Sequence, residues 1–255
     1  MKRKILFTSL ILLTGIGLFA QTITIGTGTT TSNIWGPYHG ATEDARFQYL
    51  ISASELTSAG LPANDILTSL AFDVTTHNSS QAFTGFTIKI AHTTSTGFSF
   101  GAPFLSETFT TVYNGNYSTT GTGWNTHAFS TPFQWNGTNN IVIEICFDNS
   151  STTASDYIHM TTSGIVPSSP TNKATGTGSG CSLSATGTGG WRPNMRFTHS
   201  NPSPCSTPVD QPTSLSLTNV THNSIDGSFT SAVSSPDNYL VVVSTSSTLS
   251  SNPVD

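Results

Sequence analysis

Apolar and polar residues alternate over short stretches of this chain, which is the pattern of β-strands that bury one face. The clearest run covers residues 141–147, in which four apolar side chains share one face: Ile141, Ile143, Ile145 and Phe147. Glu144 and Cys146 fall on the other face. We therefore predict a strand whose second face puts Glu144 toward solvent or the polar rim of an opposite sheet.

Further runs of this kind predict an antiparallel β-sandwich. They lie at residues 67–75, 86–92, 108–113 and 191–198, and Asn136-Gly137 is a strong turn signal before the 141–147 strand. Residues 54–61 favour one helical turn at most. Roughly eight to ten short strands with turns between them are typical of two sheets that hide their apolar faces against each other.

The first twenty residues read as a secretory signal peptide. A basic start, Lys2-Arg3-Lys4, precedes the apolar stretch 5–19, and Ala20 supplies a small residue for cleavage. We expect export to the extracellular space or outer cell surface, with no transmembrane segment left in the mature chain.

A second pattern begins after a proline-rich stretch. Residues 201–211 read as a stiff linker between a sandwich domain at 21–200 and a new series of strands at 215–220, 224–229 and 239–244. The start of this series, Pro212-Thr-Ser-Leu-Ser-Leu, resembles a fibronectin type III domain. Such a domain needs about ninety to a hundred residues, and residues 212–255 supply about half. We expect a truncated repeat, with further domains beyond residue 255.

Composition narrows the choice of partners. Only 8% of the residues are charged, against about a quarter in ordinary soluble domains. Without the first twenty residues, five basic and 13 acidic residues remain, and 5 − 13 gives −8. Nucleic acids and anionic membranes both require a basic surface, so this balance excludes them as partners.

The chain has three cysteines, an odd number for an exported protein. We predict a disulfide between Cys146 and Cys181, because it would fix a long glycine-rich loop to a strand. Cys205 is then left over, with its partner outside this chain. The alternative is three free buried thiols.

The sequence offers no recognisable catalytic motif. It lacks a His-Glu-x-x-His helix, a Gly-x-Ser-x-Gly turn and a phosphate-binding loop, and its seven histidines never pair at i, i+2 or i, i+4. We therefore predict a protein that is not an enzyme and carries no cofactor.

Two sets of residues are candidates for binding. Trp35 and Tyr38, in a Gly/Pro-containing loop, could stack on sugar rings; the alternative is that they fill the core. Asp148, Asn149 and Asp156 flank a Ser/Thr-rich loop whose oxygens could hold a structural Ca²⁺; the alternative is solvated loop acids.

Two motifs resemble a known group of proteins. They are the run Gly121-Thr-Gly-Trp-Asn through Thr131-Pro-Phe-Gln-Trp-Asn-Gly-Thr138, which leads into the 141–147 strand, and the run 46–56 followed by 70–74. Together they are similar to a jelly-roll module of bacterial surface proteins exported by the type IX secretion system. The resemblance covers about residues 25–199 and implies a jelly-roll sandwich, often followed by fibronectin type III repeats. It carries no catalytic residue.

Two functions follow as hypotheses. The first is a secreted or cell-surface, non-catalytic adhesion module that binds a glycan or another surface polymer. The second is an ancillary domain of a secreted hydrolase, a peptidase or glycosidase whose catalytic domain lies outside this chain. The full-length reading frame would discriminate between them.

Overall fold

The structure is a computed structural model, and it describes residues 21–165, 170–201, 213–219, 221, 222, 224 and 226–233. The expected signal peptide, Cys205, nearly all of the expected linker and the third strand expected at 239–244 lie outside these residues. The chain divides into two compact units, residues 1–202 and 203–255.

The described residues are nearly all in strands and turns. One short helix, α1, covers Ala53–Ser58, and a 3₁₀ turn covers Gly180–Ser182. The strands are β1 Gln21–Ile25, β2 Thr30–Ser32, β3 Asp44–Ile51, β4 Ile66–Thr76, β5 Phe83–Thr93, β6 Thr110–Tyr117, β7 Gly123–Gln134, β8 Asn140–Asp148, β9 Tyr157–Thr161, β10 Thr171–Gly176, β11 Gly187–Gly189, β12 Arg192–Pro193, β13 Met195–Ser200, β14 Thr213–Thr218 and β15 Asp226–Thr230. No helix in the described part is long and apolar enough to cross a membrane.

The first unit is an antiparallel β-sandwich, as the sequence predicts. One sheet has seven strands along the path β1-β13-β4-β9-β12, with β2 paired to β9 and β7 paired to β4. The other has six strands in the order β11-β10-β3-β8-β5-β6. The described pairings are antiparallel, and the chain crosses between the sheets through connections that include residues 77–82, 118–122 and 135–139.

The core lies between the inner faces of the two sheets. It is built from the alternate apolar positions that the sequence pattern marks, including Phe86, Ile88 and Ile90 of β5. From the facing sheet, Leu70 and Phe72 of β4 join the same cluster. Burial of these side chains is the main stabilising term, at about 1.5–3 kcal/mol for each large apolar side chain.

The six-stranded sheet is also covered on its outer face. The connection between β5 and β6, residues 94–109, folds back across the sheet, where Phe98 packs against Leu50 and Val142. Gln48 of β3 fixes it in place, since its side chain exchanges two hydrogen bonds with the backbone of Leu105, at 2.8 and 2.9 Å. Strands β3 and β8 are therefore buried on both faces.

A buried arginine holds α1 to the sheets. Arg192 is only 1% exposed, and its guanidinium donates to both carboxylate oxygens of Glu55, at 2.5 and 3.1 Å, and to the Leu50 carbonyl at 2.7 Å. Glu55 also accepts from the Ser52 backbone amide, while the Ser52 hydroxyl accepts from the Glu55 amide. This capping box starts the helix, and Arg192 ties it to β3.

The described part of the second unit is a two-stranded hairpin of β14 and β15. Its apolar side chains are largely exposed: Leu215 is 70% and Leu217 57% accessible. The sequence predicts both strands, at 215–220 and 224–229, within one or a few residues of where they lie.

The predicted strands of the first unit are also found, with shifted ends. The runs at 67–75, 86–92 and 141–147 lie within β4, β5 and β8, the run at 108–113 overlaps β6, and the run at 191–198 divides between β12 and β13. The described part of this unit has thirteen strands, more than the eight to ten expected. Several of the additional ones contain only two or three residues, too few for a periodic pattern.

We expect Arg192→Met to lower the free energy of unfolding by about 3–5 kcal/mol, because the partly buried Glu55 carboxylate and the Leu50 carbonyl would lose their partner. Urea denaturation measures this. Arg196→Met is the matched control: Arg196 lies 4.5 Å above the Trp124 ring and is half-buried, so its loss should cost about 1 kcal/mol or less. Equal losses in the two variants would contradict this role of Arg192.

Candidate functional site

A cleft of about 540 Å³ opens on the outer face of the six-stranded sheet. Its floor is formed by Arg46 of β3, Lys89 of β5 and Glu144 of β8. One wall is the 94–109 connection and the other is residues 182–185, in the connection between β10 and β11. We refer to this feature as the cleft.

The floor of the cleft is an ion-pair network around Glu144. One carboxylate oxygen accepts from Arg46 Nη2 at 2.6 Å, Arg46 Nε at 3.1 Å and Gln48 Nε2 at 2.9 Å. The other accepts from Lys89 Nζ at 2.9 Å. The strand register brings these side chains together, because Glu144 lies directly opposite Gln48 on one side and Lys89 on the other.

This network keeps Glu144 ionised. Burial raises the pKa of the Glu144 carboxyl, but the hydrogen bonds and charges of Arg46 and Lys89, with the hydrogen bond from Gln48, outweigh it and hold the pKa below its ordinary value. The carboxyl of Glu144 is therefore an acceptor and a counter-ion at neutral pH, not a proton donor. A general acid needs the opposite shift.

The cationic side chains of Arg46 and Lys89 are partly accessible to solvent, whereas the Glu144 carboxylate is buried. The side chains of Lys89 and Arg46 are 26% and 19% exposed, whereas that of Glu144 is 2% exposed. Lys89 donates one hydrogen bond, to Glu144, and an ammonium group has three donors. The cleft therefore presents an excess of positive charge and open N–H donors.

Apolar surface lines the cleft beside these polar groups. The Arg46 guanidinium lies 4.3 Å from the centre of the Phe104 ring, which fixes its plane above the floor. Leu105, Phe109 and Leu183 belong to the same apolar lining. A ligand that has both apolar faces and polar edges would find partners for each.

The predicted disulfide between Cys146 and Cys181 is present, with the two Cα atoms 5.1 Å apart. Cys146 lies on the outer face of β8, two residues beyond Glu144, and Cys181 lies in the 3₁₀ turn. The backbone of Gly180 lies so close to the Phe147 carbonyl oxygen that any Cβ would clash with it. This close packing, together with the disulfide, fixes the second wall of the cleft.

The structure places the two sequence-predicted aromatic residues outside the cleft. Tyr38 is fully buried between the sheets, and its hydroxyl lies 2.9 Å from Nε2 of His127, whose pKa burial lowers to about 3. Tyr38 is thus a core residue and not an exposed stacking platform, because its loop turns inward. Trp35 is half-buried, with the Lys173 ammonium 4.3 Å above its ring. A ligand-binding role for Trp35 stays a prediction.

The candidate calcium residues do not share free oxygens. Asp156 is 1% exposed and accepts from the amides of Asn78 and Ser79 and from the hydroxyls of Ser79 and Thr119. It holds three loops together and has no lone pair in need of a cation.

The other two candidate calcium ligands, Asn149 and Asp148, do not both have free side-chain oxygens. The Asn149 side-chain oxygen accepts from the Thr84 amide at 2.7 Å, while Asp148 is exposed. Among the described residues, no group of three or more His, Cys, Asp or Glu side chains is arranged to hold a metal ion.

Two histidine–carboxylate pairs lie apart from the cleft. His199 contacts buried Asp65 at 2.6 Å, and His159 contacts Asp73 at 2.8 Å. Within the part of the chain that the structure describes, neither histidine is hydrogen-bonded to a hydroxyl or thiol side chain that could act as a nucleophile. These pairs connect neighbouring strands and loops.

Sequence reasoning missed the cleft because its parts lie far apart in the chain. The sequence pattern also predicts Glu144 in solvent or at a polar rim, whereas its side chain is buried in the floor between the 94–109 and 177–186 connections. One partial signal was available: Lys89 and Glu144 carry opposite charges, and each falls on the non-core face of a strand that the sequence predicts.

Comparisons with protein-family models, with curated proteins and with solved structures found no match to this chain. The geometry of the cleft therefore carries the functional argument.

We expect the double variant Cys146→Ala/Cys181→Ala to unfold at lower urea concentration, with a loss of about 4 kcal/mol. The bond closes a loop with a sequence separation of 35, and cross-linking of that length removes this much chain entropy from the unfolded state. Hydrogen exchange should show faster amide exchange in residues 177–186 than in residues 94–109. Uniform loss of protection would contradict a local role in the cleft wall.

We expect Glu144→Gln to be less stable than the wild type by about 2 kcal/mol at neutral pH, because Arg46 and Lys89 lose their charged acceptor. The pKa of Glu144 is held low, so its stabilisation is present at neutral pH and is lost as the pH falls through that value. The stability gap between variant and wild type should thus stay constant above about pH 5 and close only as the pH falls below the ordinary pKa of a glutamate carboxyl, about 4.3. Denaturation curves across this range measure it, and a constant gap would contradict the network.

Proposed function

We propose that this protein is a non-catalytic binding module for an extracellular polysaccharide or a similar surface polymer, and that the cleft is its binding site. The observation that carries the proposal is the partly exposed pair of cations, Arg46 and Lys89, held over a buried carboxylate beside aromatic and aliphatic surface. Sugars present the matching chemistry, with apolar C–H faces and hydroxyl edges.

The shape of the cleft supports a chain-like ligand. It is an open depression between two walls and is lined by both polar and apolar groups. Its volume is in the range of sites for small ligands or a few sugar units. The walls are fixed by Gln48 on one side and the disulfide on the other, so the site is preorganised and loses little conformational entropy on binding.

The charge of the cleft favours an acidic polymer over a neutral one. Arg46 and Lys89 outnumber Glu144, although the chain as a whole has a formal net charge of −5. Arg46 Nη1 also donates to the Leu183 carbonyl at 3.1 Å, and the guanidinium and ammonium N–H groups that remain suit the carboxylates of acidic sugars. Neutral sugars would be left with the apolar contacts and weaker hydrogen bonds.

Binding without turnover fits the groups present. A glycosidase needs two carboxylates across the bond, one of them with a raised pKa. Among the described residues that line the cleft, Glu144 is the carboxylate, and its pKa is lowered. Export and display on a cell surface belong to the same proposal; the expected signal peptide and the resemblance of residues 121–149 to surface modules support them.

Affinity electrophoresis against neutral and uronate-containing polysaccharides tests this proposal. We expect the wild type to bind an acidic polymer with a dissociation constant in about the micromolar to millimolar range, as suits a module that gains strength by repetition. Lys89→Gln and Phe109→Ala should each weaken binding about tenfold, which corresponds to the loss of one good contact. No cleavage of the polymer should occur.

Two matched variants control for general effects. Lys173→Gln removes a lysine and Trp191→Ala removes a partly exposed aromatic ring, and both lie outside the cleft. They should bind as the wild type does. Failure of the wild type to bind any polymer, or unchanged binding by the two cleft variants, would refute the proposal.

A further inference from the structure

Two carboxyl groups face each other at one end of the six-stranded sheet. Asp44 begins β3, Asp148 ends β8, and the two are direct partners in the antiparallel register. Side chains alternate along both strands, so Asp44 and Asp148 lie on the same outer face as Arg46 and Cys146. Glu43 precedes Asp44 and adds a third negative charge nearby.

Asp44 differs from the other buried acids of the described residues. It is 0% exposed, and neither of its carboxylate oxygens has a hydrogen-bond partner; the nearby Asn149 amide, which favours the charged form of Asp44, donates its hydrogen bond to the Glu43 carbonyl at 3.0 Å. Asp156 has four donors, Glu144 has two cations and an amide, and buried Asp65 has His199. A buried carboxylate without hydrogen-bond donors is strongly unfavourable, so a group other than a side chain of this chain must compensate its charge.

A cation can fill this role. Burial, and next the charge of Asp148, raise the pKa of Asp44, so its ionised form is unfavourable without a counter-ion. Two facing carboxylates with a third beside them repel one another, and no cationic side chain is hydrogen-bonded to Asp44 in the described part of the chain.

We propose that Asp44 and Asp148 bind a calcium-class divalent cation at this end of the sheet. Calcium takes six to eight oxygen ligands from carboxylates, backbone carbonyls and water. Two carboxylates supply up to four of them, and exposed Asp148 leaves the site open to water. Gly176 pairs with Asp44, and Gly180 lies against the Phe147 carbonyl next to Asp148, so backbone is present on both sides of the pair.

The donor set favours calcium over the transition metals. All available groups are hard oxygens, and Cys146, the nearest sulfur along β8, is bound in the disulfide. The site replaces the one that the sequence predicts at Asp148, Asn149 and Asp156: Asp148 remains, and Asp44 takes the place of two residues whose oxygens already accept hydrogen bonds from the chain. It is separate from the cleft and does not depend on the proposed function.

Thermal unfolding of the wild type, titrated with CaCl₂ at pH 7.5, tests the site. For an affinity of about 1 mM, typical of extracellular calcium modules, about 10 mM Ca²⁺ should raise Tm by about 3–5 °C and then approach saturation. Titration calorimetry should give a stoichiometry near one. Asp44→Asn and Asp148→Asn should each abolish the shift, and Glu107→Gln, in the 94–109 connection, should retain it.

Several results would overturn the proposal. The first is the absence of a saturable rise in Tm when the wild type is titrated with Ca²⁺. The second is a rise in Tm with Mg²⁺, and with NaCl of matched ionic strength, that equals the rise with Ca²⁺. The third is retention of the rise in both Asn variants. If Asp44→Asn does not fold, Asp148→Asn decides alone, because exposed Asp148 tolerates an amide. If Asp44→Asn is more stable than the calcium-free wild type while Ca²⁺ has no effect, the pair shares a proton and the proposal is wrong.

Discussion

Strand β8 is buried on both of its faces, and this constraint shapes the rest of the first unit. Every residue from Ile141 to Phe147 is inaccessible to solvent, so one sheet facing another is not enough. Two connections fold over the outer face to provide the second cover. The two connections leave the floor of the cleft between them. The candidate site therefore results from the way in which these connections bury the central strands.

Folding takes several charged side chains out of water, and the fold compensates most of these charges locally. Glu144 is held by Arg46 and Lys89, Glu55 by Arg192, and Asp156 by amides and hydroxyls of two loops. Each set joins elements that are distant in sequence, so the few charges of this chain act as specific links between loops and strands. Removal of one partner is costly because the other remains buried. The unmatched Asp44 stands out against this pattern.

The sequence predicts the part of the fold in which one face is apolar and the other polar. Strands β4 and β5 follow that rule, and the disulfide follows from a cysteine on the second face of β8. Strand β3 escapes detection because it is covered on both sides and its residues, Asp44–Ile51, do not alternate. The predicted exposure of Tyr38 is wrong for a related reason. Its Gly/Pro context indicates a turn, but only the packing of the sheets decides that its ring points inward. The cleft depends on two connections about eighty residues apart, and no local pattern encodes their meeting.

The pairing of β1 with β13 has a mechanical consequence. Gln21 lies opposite His199 in this antiparallel pair, so the first and last strands of the unit end side by side. A pulling force applied to those two ends would act along the β1–β13 hydrogen bonds and break them one after another. Shear, which loads all the bonds together, would require the ends to leave in opposite directions along the strands. Tension transmitted to the unit would thus detach the edge strand β1 first, while the disulfide keeps the segment between Cys146 and Cys181 closed.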